Sequence, residues 1–384
     1  MSWLGYIFSN FYRRTLENKS TSQNNDLSSH TSENIISIPV QKGNKWGYIN
    51  KTGQFVIKPR FDSADKFSDG LASISLGGKY GFIDSTGKYL IKPKFDNLRG
   101  WFSNGYAIVS LSGKWGYIDM NGKFTIPPQF DNAMKFSDGF AAVCMKKKWG
   151  YIDRTGQYLI KPQFDVVNDF CDGLAAVRFE GKWGYINMTG KFVIKPQFSS
   201  TRNFSDGLAA VGFEGKWGYI DKTGQSLIKP QFCNAKDFSD GLAAVSLLKP
   251  SANGIFSFEK WGYIDKTGRV VIAIQFDIAN DFSDGFAVFK LGQGYGHIDK
   301  TGQFLAKPQY DVVEKFFHGI APVKLEGRWG YINETGQYLI KPRFDDADDF
   351  YDGLAAVRLG NKCGFVDKAG HFVIEPQFDS IGWF

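Results

Sequence analysis

Cysteine and histidine are nearly missing from this 384-residue chain, at four residues each. The four cysteines, Cys144, Cys171, Cys233 and Cys363, share no metal-ligand or redox spacing, so neither a disulfide framework nor a metal site is expected. His30, His297, His318 and His371 are equally scattered. Gly-rich phosphate loops and Ser or Cys nucleophile contexts are lacking as well, so the chain reads as a non-enzyme without a cofactor. Proline is scarce, at 13 residues against 44 glycines, and glycine falls far short of one residue in three, which excludes collagen. No apolar run approaches the ~20 residues of a membrane-spanning helix. With 43% hydrophobic and 22% charged residues, the chain is not of disordered composition either.

Aromatic residues are abundant, at 16% of the chain (36 Phe, 17 Tyr, 10 Trp), and they are organised. Lys45-Trp46-Gly47-Tyr48-Ile49-Asn50 recurs almost verbatim around Trp115, Trp149, Trp183, Trp217, Trp261 and Trp329. Weaker copies carry Tyr80, Tyr295 and Cys363 in place of Trp. From Gly47 to Gly364 the motif glycines are spaced by 34, 35, 34, 34, 34, 44, 34, 34 and 34 residues. Ten units therefore follow one beat, with one residue added near Gly100 and ten inserted at 249–258.

Within a unit the runs Leu174 to Val177, Trp183 to Ile186 and Phe192 to Lys195 are short, β-rich and bounded by turn residues. Asp-x-Thr-Gly suits a tight hairpin, in which the Asp side chain caps and Gly takes positive φ. Phe344, Ala347 and Phe350 stand at i, i+3 and i+6, a spacing that predicts one short helical turn. The reading is thus all-β, with ten three-stranded antiparallel repeats of about 34 residues, since a lone three-stranded sheet must bury a face on its neighbours. Because no unit looks split between the two termini, an open superhelical stack is favoured, with a closed ring of about ten blades as the alternative. The recurring tryptophans are expected in the repeat core.

Residues from about 36 to 384 resemble a tandem array of the bacterial WG repeat, also called the KWG repeat. The signature Lys-Trp-Gly-Tyr-Ile-Asp-x-Thr-Gly-x-Phe-Val-Ile-Lys-Pro-x-Phe-Asp, followed by Phe-Ser-Asp-Gly-Leu-Ala-Ala-Val, carries the resemblance. It implies a β-rich interaction scaffold and brings no catalytic residue with it.

Residues 1–35 lie outside the array. Over residues 1–18 an amphipathic helix is expected, with Trp3, Leu4, Ile7, Phe8 and Phe11 on its apolar side and Arg13 and Arg14 on the polar one. Residues 19–35 read as a flexible polar linker. This segment would lie on a membrane surface or dock into a partner protein, and a helix capping the array is the plainer alternative. No secretory signal is recognised, so a cytoplasmic protein is expected, peripheral at a membrane or bound to a larger assembly.

Lysine and arginine number 46 against 39 acidic residues, a net charge of +7. One basic series precedes the Trp position and another precedes Pro, including Lys58, Lys92, Lys161, Lys195, Lys229, Lys307 and Lys341. Acidic series run beside them, and mutual pairing explains both better than a nucleic-acid stripe. Isolated Asp-x-Thr-Gly turns lack the dense oxygen spacing of a calcium loop. Function is sought where the rhythm breaks, at the insertion tip with Ile255, Phe256 and Phe258 and at the extra Trp101 and Trp383. The expectation is a protein-binding scaffold tethered through its N-terminal segment, with polyanion or carbohydrate binding along the lysine ladders as the alternative.

Overall fold

The computed structural model describes residues 37–250 and 257–382. The chain divides into two units, 1–35 and 36–384, and the described residues all belong to the second. The expected helix over 1–18, with Trp3, Leu4, Ile7, Phe8, Phe11, Arg13 and Arg14, and the linker over 19–35 therefore lie outside them.

Among the described residues, forty strands, β1 to β40 in chain order, build ten antiparallel sheets of four strands. The second sheet sets the pattern: β4 (Ser63–Ala64), β5 (Leu71–Leu76), β6 (Lys79–Asp84) and β7 (Tyr89–Phe95) pair in that order. Three of these strands are the ones legible in the sequence. The fourth is new, and it replaces the helical turn expected between the two Phe residues. In the unit holding Phe232, Ala235 and Phe238, all three are buried, yet Asn234–Ala235 is a strand. Its backbone pairs with Ser246 and Val245, so the segment gains ladder partners that a single helical turn would leave unmet.

The array closes on itself, which corrects the open stack. Strand β40 (Ser380–Ile381) pairs with β1 (Ile38–Lys42), Ile381 opposite Val40 and Ser380 opposite Gln41. The amides of Asp379 and Gly382 donate to the carbonyls of Gln41 and Pro39, at 2.9 and 2.8 Å. The first sheet thus takes three strands, β1, β2 (Lys45–Ile49) and β3 (Phe55–Phe61), from the beginning of the array and its fourth from the end. Closure buries Ile38, Val40 and Ile49 against Phe365, Ile374 and Phe378, surfaces that an open stack would leave to water. The architecture is a ten-bladed β-propeller.

The Trp-Gly pair has a local cause. Between Trp46↔Phe61 and Tyr48↔Ile57 the middle strand advances two residues while the edge strand advances four, a bulge that folds Lys58-Pro59 over Gly47. A Cβ on Gly47 would stand 2.5 Å from the Ile57 carbonyl oxygen and 2.7 Å from the Pro59 nitrogen, so only glycine fits. Proline in turn denies an N–H to any strand that would add to this edge. The hairpin turns form as expected: the Asn50 carboxamide oxygen accepts from the Thr52 and Gln54 amides, both at 3.0 Å, and Gly53 takes φ +82°.

Candidate functional site

What the repeated side chains do is decided at the seams between blades. Tyr219 is fully buried, and its hydroxyl donates to the Lys236 carbonyl of the next blade at 2.8 Å. Its ring meets Phe238 of that blade, with centroids 4.8 Å apart. Tyr48, Tyr117, Tyr151, Tyr185, Tyr263 and Tyr331 each make the same bond to a carbonyl seventeen residues on. Burial pushes these phenols far above their ordinary range, so they remain protonated donors. His297 stands in the Tyr position and keeps the contact, its Nε2 2.7 Å from the Glu314 carbonyl oxygen. Phe82 and Phe365 have no hydroxyl to offer.

The seven consensus tryptophans, Trp46, Trp115, Trp149, Trp183, Trp217, Trp261 and Trp329, are half-buried at the same seams. Trp217 packs on the cluster that holds Ala235, Phe238 and Val245 of the next blade, and Trp329 on the one that holds Ala347 and Val357. Cations cover several of the rings: the Arg99 guanidinium lies 4.7 Å from the Trp115 ring centre and the Lys324 ammonium 5.8 Å from that of Trp329.

The first basic series is paired. Lys45 meets Asp62 at 2.5 Å, and Lys79 meets Asp96 and Lys148 meets Asp165 at 2.6 Å. Lys260, Arg328 and Lys362 bind Asp277, Asp345 and Asp379 in the same way. Each Asp thereby joins one blade to the next, and the second oxygen of Asp62 accepts the Gly77 amide at 2.7 Å. The lysine hydrogen bond holds the Asp62 carboxyl below its usual range. These pairs are solvent-exposed, so they set register more than they stabilise. Ser199 and Cys233 occupy the Asp position in two blades and Gly294 the Lys position in a third. The Ser-Asp-Gly aspartates, such as Asp69 at φ +52°, form the left-handed corners of tight turns. Seventeen residues is half of the 34-residue beat, and that offset was the sequence signal for both cross-blade contacts.

A different set of residues faces outward. On the edge strands Val56, Leu90, Leu159, Val193, Leu227, Val271, Leu339 and Val373 are exposed; Lys58, Lys92, Lys161, Lys195, Lys229 and Lys341 stand exposed two residues beyond six of them, and Lys307 two beyond the half-buried Leu305. The insertion lengthens one hairpin, formed by β25 (Leu242–Pro250) and β26 (Ser257–Asp265), beyond its counterparts. Phe258 and Leu248 there are exposed, at 55% and 58%. Ile255 and Phe256, as well as Trp383, lie outside the described residues. Trp101 is half-buried beside the Lys66 ammonium, 5.6 Å from its ring centre. Among the described residues no group of three His, Cys, Asp or Glu side chains is placed to hold a metal ion.

A family model described as WG containing repeat matches ten segments between residues 46 and 384, omitting only 248–260 within that span. No curated protein matches the sequence. Among solved structures, a crystal structure of a eukaryotic initiation factor is 11% identical, covering 90% of this chain and 97% of its own, with TM-score 0.53. Kluyveromyces lactis Hsv2p is 11% identical over 60% of this chain and 90% of its own, with TM-score 0.36. At such identity the first likeness speaks for the fold alone and the second carries no argument.

Proposed function

This chain belongs to the family of WG-containing repeats, and from that premise we propose that it is a non-enzymatic scaffold that binds another protein on the propeller surface. The exposed aliphatic ladder on the edge strands carries the reading. Most polar positions of the repeat consensus serve bonds within or between blades, whereas Val56, Leu90, Leu159, Val193, Leu227, Val271, Leu339 and Val373 remain open to solvent in eight blades. Repeated exposed apolar surface of this kind is a mark of association. The long hairpin exposes Leu248 and Phe258 on one blade, which would distinguish one direction of approach from the others. Residues 1–18 serve as the tether, to a membrane surface or a second protein, and 19–35 as its linker, in a cytoplasmic protein held at such a surface or assembly.

The test is affinity capture from the native cell extract with the full chain and with a variant carrying Leu90→Asp, Leu159→Asp, Leu227→Asp and Leu339→Asp. Partners retained by the former and lost by the latter support the scaffold, and identical capture by both overturns it. A fusion of residues 1–20 to a fluorescent reporter tests the tether, which a uniformly diffuse signal would contradict.

Polyanion binding along the exposed lysines is the second reading, favoured by the regular spacing of Lys58 and its counterparts beside the aliphatic ladder. It requires affinity that falls steeply with salt, whereas apolar docking changes little.

A further inference from the structure

The seam between the last blade and the first departs from every other. Cys363 stands where seven blades have Trp and two have Tyr, in the same register: opposite Phe378 on the edge strand, as Trp46 is opposite Phe61, and opposite Arg358, as Trp329 is opposite Lys324. A thiol cannot fill the space of an indole. A cavity of about 150 Å³ remains, walled by Ala356, Arg358 and Cys363 of the last blade and by Ser380 and Ile381 of β40. Ile381 replaces the Ala of positions 64, 133, 235, 279 and 347, and so closes part of the gap.

The remaining lining matches the surroundings of the filled seams at one position and departs from them at another. Arg358 and Asp348 complete the rim. Arg358 occupies the position of Lys324, whose ammonium lies over the Trp329 ring, whereas Asp348 puts a carboxyl where Lys236 lies over the Trp261 ring at 5.6 Å. An enclosed cavity near 150 Å³ admits a benzene ring, and this one is open on one side. The seam also lacks the phenol bond that fastens seven others, since Phe365 replaces Tyr.

We propose that this seam is a binding pocket for a planar aromatic side chain, a tryptophan presented by a partner protein, which inserts where the other blades carry their own. Ala356 and Ile381 receive the ring face, Ile381 standing where Ala347 stands at the preceding seam. Arg358 supplies the cation that covers it, and the carboxylates at the rim accept the indole N–H. The scaffold reading supplies only the source of the side chain; the pocket itself rests on the internal repeat.

The experiment uses the full chain as wild type, Cys363→Ala and Cys363→Trp, with N-acetyl-tryptophanamide as probe and N-acetyl-leucinamide as control, followed by saturation-transfer NMR. Wild type and Cys363→Ala are expected to bind the indole probe with a dissociation constant of about 1 mM, a reasonable strength for a fragment of this size. The control should bind at least ten-fold more weakly. Cys363→Trp should lose indole binding at least ten-fold while melting at or above the wild-type temperature, which shows that the loss is not unfolding. No indole binding by wild type and Cys363→Ala, or undiminished binding by Cys363→Trp, would overturn the pocket. Indole binding without any captured protein would overturn the scaffold reading alone, and captured proteins without indole binding would overturn the pocket alone.

Discussion

Two residues show how strictly side-chain choice follows from backbone approach in this propeller. Gly184 lies under the bulge of its edge strand, and a Cβ there would come within 2.6 Å of the Ile194 carbonyl oxygen and 2.7 Å of the Pro196 nitrogen. Both contacts are backbone, so nothing flexible can yield. Gly184→Ala is expected to lower stability by about 2–3 kcal/mol, measured by urea unfolding. His297 shows the opposite freedom: a different ring fills the Tyr position because its neighbours changed with it. It is 1% exposed, Phe289 replaces the usual Val or Ile, and Ala306 replaces the Ile opposite. Burial pushes its imidazole down to about 4, below the ordinary histidine value. The unfolded chain therefore binds the extra proton between about pH 6.5 and 4, so this group's share of stability is complete above that window and lost as pH falls through it. His297→Tyr combined with Phe289→Val should flatten the stability profile between pH 6.5 and 4, and an unchanged acid limb would contradict the assignment.

At the scale of the element, a consensus blade is held to the next by one buried phenol, one half-buried indole and one exposed ion pair. Removing the phenol hydroxyl isolates the first of these. Tyr219→Phe leaves the Lys236 carbonyl without its partner and should cost about 1–2 kcal/mol in thermal or urea unfolding. Lys45→Met, which breaks only an exposed pair, should change stability far less. The three longer strands and the Asp-x-Thr-Gly turns were legible because apolar runs, turn residues and one strict beat agreed. The fourth strand was not: a two-residue strand such as Asn234–Ala235 is too short to show alternation. Its flanking Phe232 and Phe238 fall at helical spacing only because both reach the core around an extended segment. The cross-blade contacts were half legible, since the charge ladders were visible whereas their partners seventeen residues away were not paired off.

For the whole molecule, the decisive feature is that the two ends of the array share one blade. Ten whole three-stranded units are legible between the two ends, and Ser380–Ile381 is as short as its counterparts, so the shared blade leaves no mark in the sequence. An open stack and a closed ring use the same repeat and differ only in whether β1 meets β40. The register places Gln41 opposite Ser380, a ladder pair within reach of a disulfide. The measurement that tests closure most directly is therefore oxidation of Gln41→Cys/Ser380→Cys in a chain whose four native cysteines have been replaced. A closed ring predicts a monomer whose peptides around 41 and 380 are joined, with a raised melting temperature. Monomer that stays unlinked, or linkage found only between two chains, would contradict it.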